Sequence, residues 1–196
     1  MRVWIFIVLL LGLSACAENS PILATPESIA AVSYRDEGPA KITLITVVNN
    51  QTGAGGHSAL MINGPQRIIF DPAGSFRTQS VPERGDVLYG ITPQVFQVYK
   101  STHARATHHV VTQEIEVSAA QAQAAYQLAT SNGAVLGGFC ANSTSKMLSR
   151  IPGFEQINIT MSPIRLQNQV EGIPGVKTEK YYEDDEGTIG NAVEAL

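Results

Sequence analysis

Short apolar segments in the first part of the chain predict the strands of a β-sheet. One of them, KITLITVVN, is a run of β-branched residues that is typical of a buried strand. Residues that favour turns, such as the pair Gly64-Pro65, separate the segments from one another. The predicted strands are Lys41–Asn49, His57–Asn63, Arg67–Asp71, Gly85–Ile91 and His109–Val117.

Helical patterns follow the strands. Ser118 is a good N-cap residue, and Ala119–Thr130 is rich in the helix formers Ala, Gln and Leu. Cys140–Ile151 is predicted as a second helix, because its apolar residues fall on one stripe and Pro-Gly follows it. Shorter helices are predicted at Pro26–Val32 and Pro163–Val170, whereas Pro93–Thr102 fits a helix or a strand. Strands followed by helices indicate an α+β domain.

The N-terminus has the pattern of an export signal. One arginine precedes an apolar run that is too short to span a membrane, and Leu-Ser-Ala-Cys follows it. This tetrapeptide resembles the bacterial lipobox, which predicts cleavage after residue 15 and acylation of Cys16. Ala17 in the next position favours the outer membrane, facing the periplasm. The alternative is an ordinary signal peptide with a chance cysteine.

Composition is consistent with one exported domain. Removing residues 1–15 leaves about 180 residues, enough for a single core. Residues 16–40 contain three prolines and are predicted to be a tether, residues 41–182 the domain, and residues 183–196 an acidic, flexible tail. The net charge of −4 and the lack of a basic patch predict no binding to nucleic acid.

Cys140 is the strongest candidate for chemistry. The chain has two cysteines, and acylation of Cys16 would leave Cys140 without a disulfide partner. The sequence GGFCAN places it at the predicted start of a helix, where free N–H groups and the helix dipole stabilise a thiolate. Two alternatives stay open, namely a buried structural cysteine and, if Cys16 is not acylated, a Cys16–Cys140 disulfide.

A nucleophilic thiol needs a base, and the chain has four histidines. His57 follows a glycine-rich loop and opens an otherwise apolar strand, so we predict that it is the base. His103, His108 and His109 are predicted to be solvated surface residues. Neighbouring histidines rarely chelate one ion, so neither a metal nor another cofactor is predicted.

Asp71 is the predicted partner of the base. If the second and third strands pair across Gly64-Pro65, facing residues have numbers that sum to about 128, which sets His57 beside Asp71. A carboxylate there would orient the imidazole. The alternative role for Asp71 is that of a turn residue before Pro72.

These motifs resemble a known family. GHSALMI around His57, FDPAG around Asp71 and Phe139-Cys140 at a helix start are similar to the circularly permuted, papain-like branch of the NlpC-like cysteine peptidase superfamily. This branch includes lecithin retinol acyltransferase-like proteins. The resemblance covers residues 41–151 and implies an antiparallel sheet with the nucleophile at a helix N-terminus. Cys140 matches the nucleophile, His57 the base and Asp71 the third polar residue, although that third residue is often His in the family.

The resemblance implies acyl chemistry at Cys140. An acyl-enzyme would form on its sulfur, with the Cys140 N–H stabilising the oxyanion. A lipid-anchored hydrolase that cleaves an amide, such as cell-wall peptide, is the leading expectation. An acyltransferase or esterase acting on lipid is a second, and a non-catalytic binding lipoprotein of the envelope is a third.

Overall fold

The computed structural model describes residues 23–184, which form one α+β unit. An antiparallel sheet of seven strands has the order β4-β5-β3-β2-β1-β6-β7. The strands are β1 (Lys41–Asn49), β2 (Gly55–Asn63), β3 (Arg67–Phe70), β4 (Glu83–Arg84), β5 (Val87–Tyr89), β6 (His108–Glu116) and β7 (Lys177–Tyr181). The α+β class predicted from the sequence is therefore confirmed.

Five helices accompany the sheet among the described residues. They are α1 (Pro26–Ala31), α2 (Pro93–His103), α3 (Ala119–Asn132), α4 (Cys140–Leu148) and α5 (Pro163–Glu171). Ser118 caps α3 in a full capping box with Gln121, and Thr25 caps α1, as the sequence predicts. The segment after Thr92 is a helix, because that side chain accepts the Val95 N–H and Pro93 occupies the first turn.

Each face of the sheet carries its own core. On one face, α3, α4 and α5 cover the residues of β1 to β3 with even numbers, including Leu44, Leu60 and Phe70. On the other face, α2 and neighbouring loops cover Ile45 and Met61. Successive side chains of a strand point to opposite faces, so each central strand contributes to both cores.

The predicted register between β2 and β3 was wrong by two residues. Asn63 pairs with Arg67 and Leu60 with Phe70, so facing numbers sum to 130 rather than about 128. Three residues, not Gly64-Pro65 alone, make the connection. A shift of two keeps every side chain on its face, since the period of a strand is two. His57 and Asp71 therefore become diagonal neighbours on one face.

Two further strand predictions need correction. Residues 85–91 are not one strand, because Gly85 and Asp86 form a turn with φ of 58° and 61° between β4 and β5. Asp71 lies one residue beyond the end of β3. The strand β7 was not predicted, because four of its five residues are exposed and it therefore lacks an apolar pattern.

Several predictions lie outside the described residues. These are the signal at residues 1–15, the acylated Cys16 with the first part of the tether, and most of the acidic tail. Among residues 23–184, no helix is long and apolar enough to cross a membrane.

Candidate active site

Cys140 is the first residue of α4, as predicted. Gly138 precedes it with φ of 83°, a conformation that favours glycine. The N-cap residue of α4, Phe139, makes no side-chain hydrogen bond to the first-turn N–H groups. Thr144 Oγ1 donates to Ser58 O at 3.5 Å, and this contact fixes α4 against β2.

The thiol of Cys140 lies against β2 where the pairing of β2 with β3 has ended. Strand β3 pairs with β2 only from Leu60 to Asn63, so the edge of β2 around Ser58 faces no further strand among the described residues. Cys140 Sγ accepts hydrogen bonds there from the backbone N–H groups of Ser58 and Ala141. It is also hydrogen-bonded to the His57 ring. The end of one strand pair thus makes room for the nucleophile.

His57 and Asp71 meet on the α2 face of the sheet. His57 Nε2 lies 2.7 Å from Asp71 Oδ1, and their side chains are 14% and 2% exposed. This contact occupies one ring nitrogen and leaves Nδ1 for the sulfur of Cys140. The structure therefore brings the three predicted site residues into one hydrogen-bonded chain.

The environment favours a charged His57. Burial lowers its pKa, but hydrogen bonds to Asp71 and Cys140, together with their negative charges, outweigh burial and raise the pKa to about 9. Burial also opposes the thiolate, yet the hydrogen bond and charge of His57 and the N–H groups of Ser58 and Ala141 lower the pKa of Cys140. At neutral pH His57 is therefore an imidazolium, and its charge favours the thiolate form of Cys140.

The Asp71 carboxylate stays ionised although it is buried. Burial raises its pKa, but the hydrogen bond and charge of His57 and a hydrogen bond from Tyr99 give a net lowering. The backbone at Asp71 also begins a turn, because Gly74 N–H donates to Asp71 O at 2.9 Å. Asp71 thus contacts His57 through its side chain and begins a turn through its backbone.

Tyr99 is a site residue that the sequence did not reveal. It is fully buried in α2, and its hydroxyl donates to Asp71 Oδ1 at 2.7 Å. Burial, and then the charge of Asp71, raise its pKa well above the usual range, so it stays a donor. A helix that continued through His103 would have placed Tyr99 and His103 on one face, because residues four apart are neighbours there.

His103 was wrongly predicted to be a solvated surface residue. Its ring stacks on that of His57, with centroids 6.0 Å apart and planes 11° apart. Its Nδ1 lies 2.7 Å from Tyr99 O, which favours the tautomer with the proton on Nδ1. Burial lowers the pKa of His103, which keeps this ring neutral beside the charged one.

The prediction of a solvated surface residue was also wrong for His109, but it was not wrong for His108. His109 is buried, lies 2.8 Å from Asn50 Oδ1 through Nδ1, and stacks on Tyr182. His108 is partly exposed and contacts the Thr107 hydroxyl. No group of three His, Cys, Asp or Glu side chains in residues 23–184 could hold a metal ion.

Gly74 packs directly against the carboxylate of Asp71. A Cβ built at this position would overlap Asp71 Oδ2, so no larger residue fits without moving that side chain. In contrast, a Cβ at Gly137, three residues before the nucleophile in sequence, would meet nothing within 4 Å. The base side of the site is closely packed, and the nucleophile side is open.

No protein-family model, curated protein or solved structure matches this chain. The resemblance to permuted papain-like proteins therefore stays a prediction.

Proposed function

We propose that the protein is a cysteine hydrolase that forms an acyl-enzyme on Cys140. The observation that carries this proposal is the hydrogen-bonded chain from Cys140 through His57 to Asp71 at an uncapped helix start. A nucleophile, a base and a group that orients the base are the parts that thiol acyl transfer needs. These hydrogen-bonded residues favour an enzyme over an inert binding protein, because a structural cysteine needs no paired imidazole.

Acylation follows from the charge state of the pair. The Cys140 thiolate attacks the carbonyl carbon, a C–S bond forms, and the carbonyl oxygen takes up negative charge. The Cys140 N–H at the start of α4 is the natural donor to that oxygen. As the C–N bond of an amide breaks, the His57 imidazolium gives its proton to the leaving amine.

Deacylation reverses the direction of proton transfer. Neutral His57 takes a proton from water as the water oxygen bonds to the acyl carbon, and the C–S bond then breaks to release the thiolate. Asp71 stabilises the imidazolium that forms, and Tyr99 holds one oxygen of that carboxylate. The ring of the neutral His103 stacks beside that of His57, with centroids 6.0 Å apart.

The fold proposed for this chemistry is the permuted papain-like one. Its support is the order of the parts, since the strand that carries His57 precedes the helix that carries Cys140, as in the family that the motifs resemble. An antiparallel sheet packed against the nucleophile helix is consistent with this proposal. The proposal extends the observed α+β architecture and rests on residues 41–151.

The proposed substrate is an amide in the cell envelope, such as cell-wall peptide. The predicted lipid anchor at Cys16 would hold the enzyme at the outer membrane, facing the periplasm. A second candidate is hydrolysis or transfer of acyl groups on lipid, and one observation favours it. Leu136 and Phe139, close before the nucleophile in sequence, are 79% and 45% exposed and offer an apolar rim.

Labelling with two electrophilic probes separates these candidates. The full chain in detergent is treated with a peptide and with a lipid that carry the same electrophile, and adducts are mapped by mass spectrometry. Faster labelling of Cys140 by the peptide supports the amide hydrolase, and faster labelling by the lipid supports the second candidate. If neither probe labels the wild type faster than an unperturbed thiol, the proposal of an activated Cys140 is wrong. The Cys140→Ala variant controls for labelling elsewhere.

A further inference from the structure

The turn between β4 and β5 has a geometry that suits few residues. Arg84 pairs with Val87, so Gly85 and Asp86 alone make the turn, and both have positive φ. Such two-residue turns match the twist of the flanking strands, and they favour Gly, Asn and Asp. Gly85 packs against the end of α3, because a Cβ there would lie 3.3 Å from the Gly133 Cα.

Asp86, the second residue of this turn, accepts three hydrogen bonds from backbone N–H groups in other parts of the chain. Its carbonyl oxygen accepts the N–H of Asp71 at 2.7 Å. Its carboxylate oxygen Oδ2 accepts the N–H of Ala73 and the N–H of Val135, each at 2.8 Å. Asp86 is 9% exposed, so these bonds are shielded from water.

The three donors belong to two different parts of the active site. Asp71 orients the base, and Ala73 lies in the turn that follows it. Val135 lies in the loop that runs from α3 to Cys140. Ala73 has φ of 56°, which is unfavourable for alanine, so a specific contact has to hold its N–H in place. The carboxylate oxygen Oδ2 of Asp86 therefore bridges the turn at Ala73 and the loop at Val135.

We propose that Asp86 is a positioning residue that holds the Asp71 turn and the loop before Cys140 in fixed relation to each other. It touches neither the sulfur nor the imidazole, and it acts through the segments that carry them. Without the bridge, the turn at Ala73 and the loop at Val135 would each lose an acceptor in a buried place. The inference rests on the proposed function, because the segments that Asp86 joins carry the proposed catalytic residues.

Two substitutions isolate the side-chain acceptor. Asp86→Asn and Asp86→Gly both remove the negative charge and both tolerate positive φ. Only Asn keeps an oxygen that can accept the two N–H bonds. The measurements are the titration of the His57 ring by NMR and the pH profile of iodoacetamide alkylation at Cys140, since neither requires a substrate.

We expect Asp86→Gly to lower alkylation at pH 7 by about tenfold or more and to lower the pKa of His57. Asp86→Asn should stay within about threefold of the wild type. Equal behaviour of the two variants, or a folded Gly variant with the wild-type profile, overturns the positioning role. If the Gly variant does not fold, amide exchange of the wild type decides, because fast exchange at Ala73 and Val135 contradicts the bridge.

Failure of the proposed function looks different. In that case the wild type turns over no peptide or lipid substrate, while the His57 titration still depends on residue 86. The positioning role would then survive without hydrolase activity.

Discussion

The two halves of the candidate site are built in opposite ways. On the base side, His57, Asp71 and Tyr99 form a buried chain of short hydrogen bonds, and Gly74 closes against the carboxylate. On the nucleophile side, Cys140 begins a helix without a capping side chain, after a glycine pair with open space around it. One side is closed and the other is open.

This difference matches what each side would have to do. A base whose charge must be stabilised gains from fixed dipoles and from the exclusion of water. A nucleophile must admit a carbonyl group, so space and free N–H donors are needed in front of it. Changes on the base side are therefore expected to cost more than changes of the same size on the nucleophile side.

The largest effect is expected from removing the base. His57→Ala removes the central residue of the hydrogen-bonded set Cys140–His57–Asp71. The rate of hydrolysis should therefore fall by a factor of about 10²–10⁴, the usual contribution of a positioned acid–base group. Steady-state rates on the preferred substrate measure this loss. His108→Ala is the matched control, because His108 is partly exposed and forms a hydrogen bond with the Thr107 hydroxyl, outside the candidate site. A loss of equal size in both variants would contradict the assignment of the base.

A smaller loss is expected from adding one methyl group on the closed side. Gly74→Ala drives a Cβ into Asp71, and overpacking of this kind costs about 1–3 kcal/mol of stability. Because the carboxylate must move away from His57, the rate of hydrolysis should also fall. Urea unfolding and steady-state kinetics measure the two effects.

Gly137→Ala is the control on the open side, where the added Cβ has nothing within 4 Å. We expect its stability and its kinetics to stay close to those of the wild type. If Gly137→Ala costs as much as Gly74→Ala, the contrast between the closed and open sides is wrong.

Tyr99→Phe should have a more limited effect, because it removes one bond and leaves the chain otherwise complete. The lost hydroxyl donates to a buried carboxylate, and such bonds contribute about 1.5–3 kcal/mol. Urea unfolding near neutral pH measures the loss. Tyr126→Phe removes a hydroxyl that bonds the neutral Gln66 side chain, so it should cost less. An equal cost for both tyrosines would argue against a charged Asp71.

Sequence patterns predicted the strands that have apolar faces and the helices that have caps. Lys41–Asn49 was predicted to the residue, because its β-branched run is buried on both faces. The polar edge strand β7 and the two-residue β4 carry no such pattern, so they could not be predicted. These strands are defined by their pairing with distant strands, and the local residue pattern does not indicate that pairing.

The same distinction holds for the site. His57 directly follows Gly56, Cys140 follows a glycine pair by two residues, and Asp71 precedes a proline, so local sequence marks all three. Tyr99, His103 and Asp86 gain their positions only when α2 and the β4–β5 turn pack against β2 and β3. The register of β2 and β3 was also missed, yet the contact survived, because a shift of two residues preserves the face.

The smallest expected effect is a change in the slope of a pH profile. An unperturbed thiol with a pKa near 8.5 alkylates roughly 25-fold faster at pH 9 than at pH 7. The lowered pKa of Cys140 means that part of this rise has already occurred at lower pH, so the wild type should show a smaller ratio. The imidazolium that sustains the thiolate is lost only as the pH rises through the His57 pKa of about 9. Stopped-flow alkylation with iodoacetamide measures the ratio, and His57→Ala should restore the steep dependence. An equally steep rise in the wild type would show that the closed side exerts no electrostatic control over the open one.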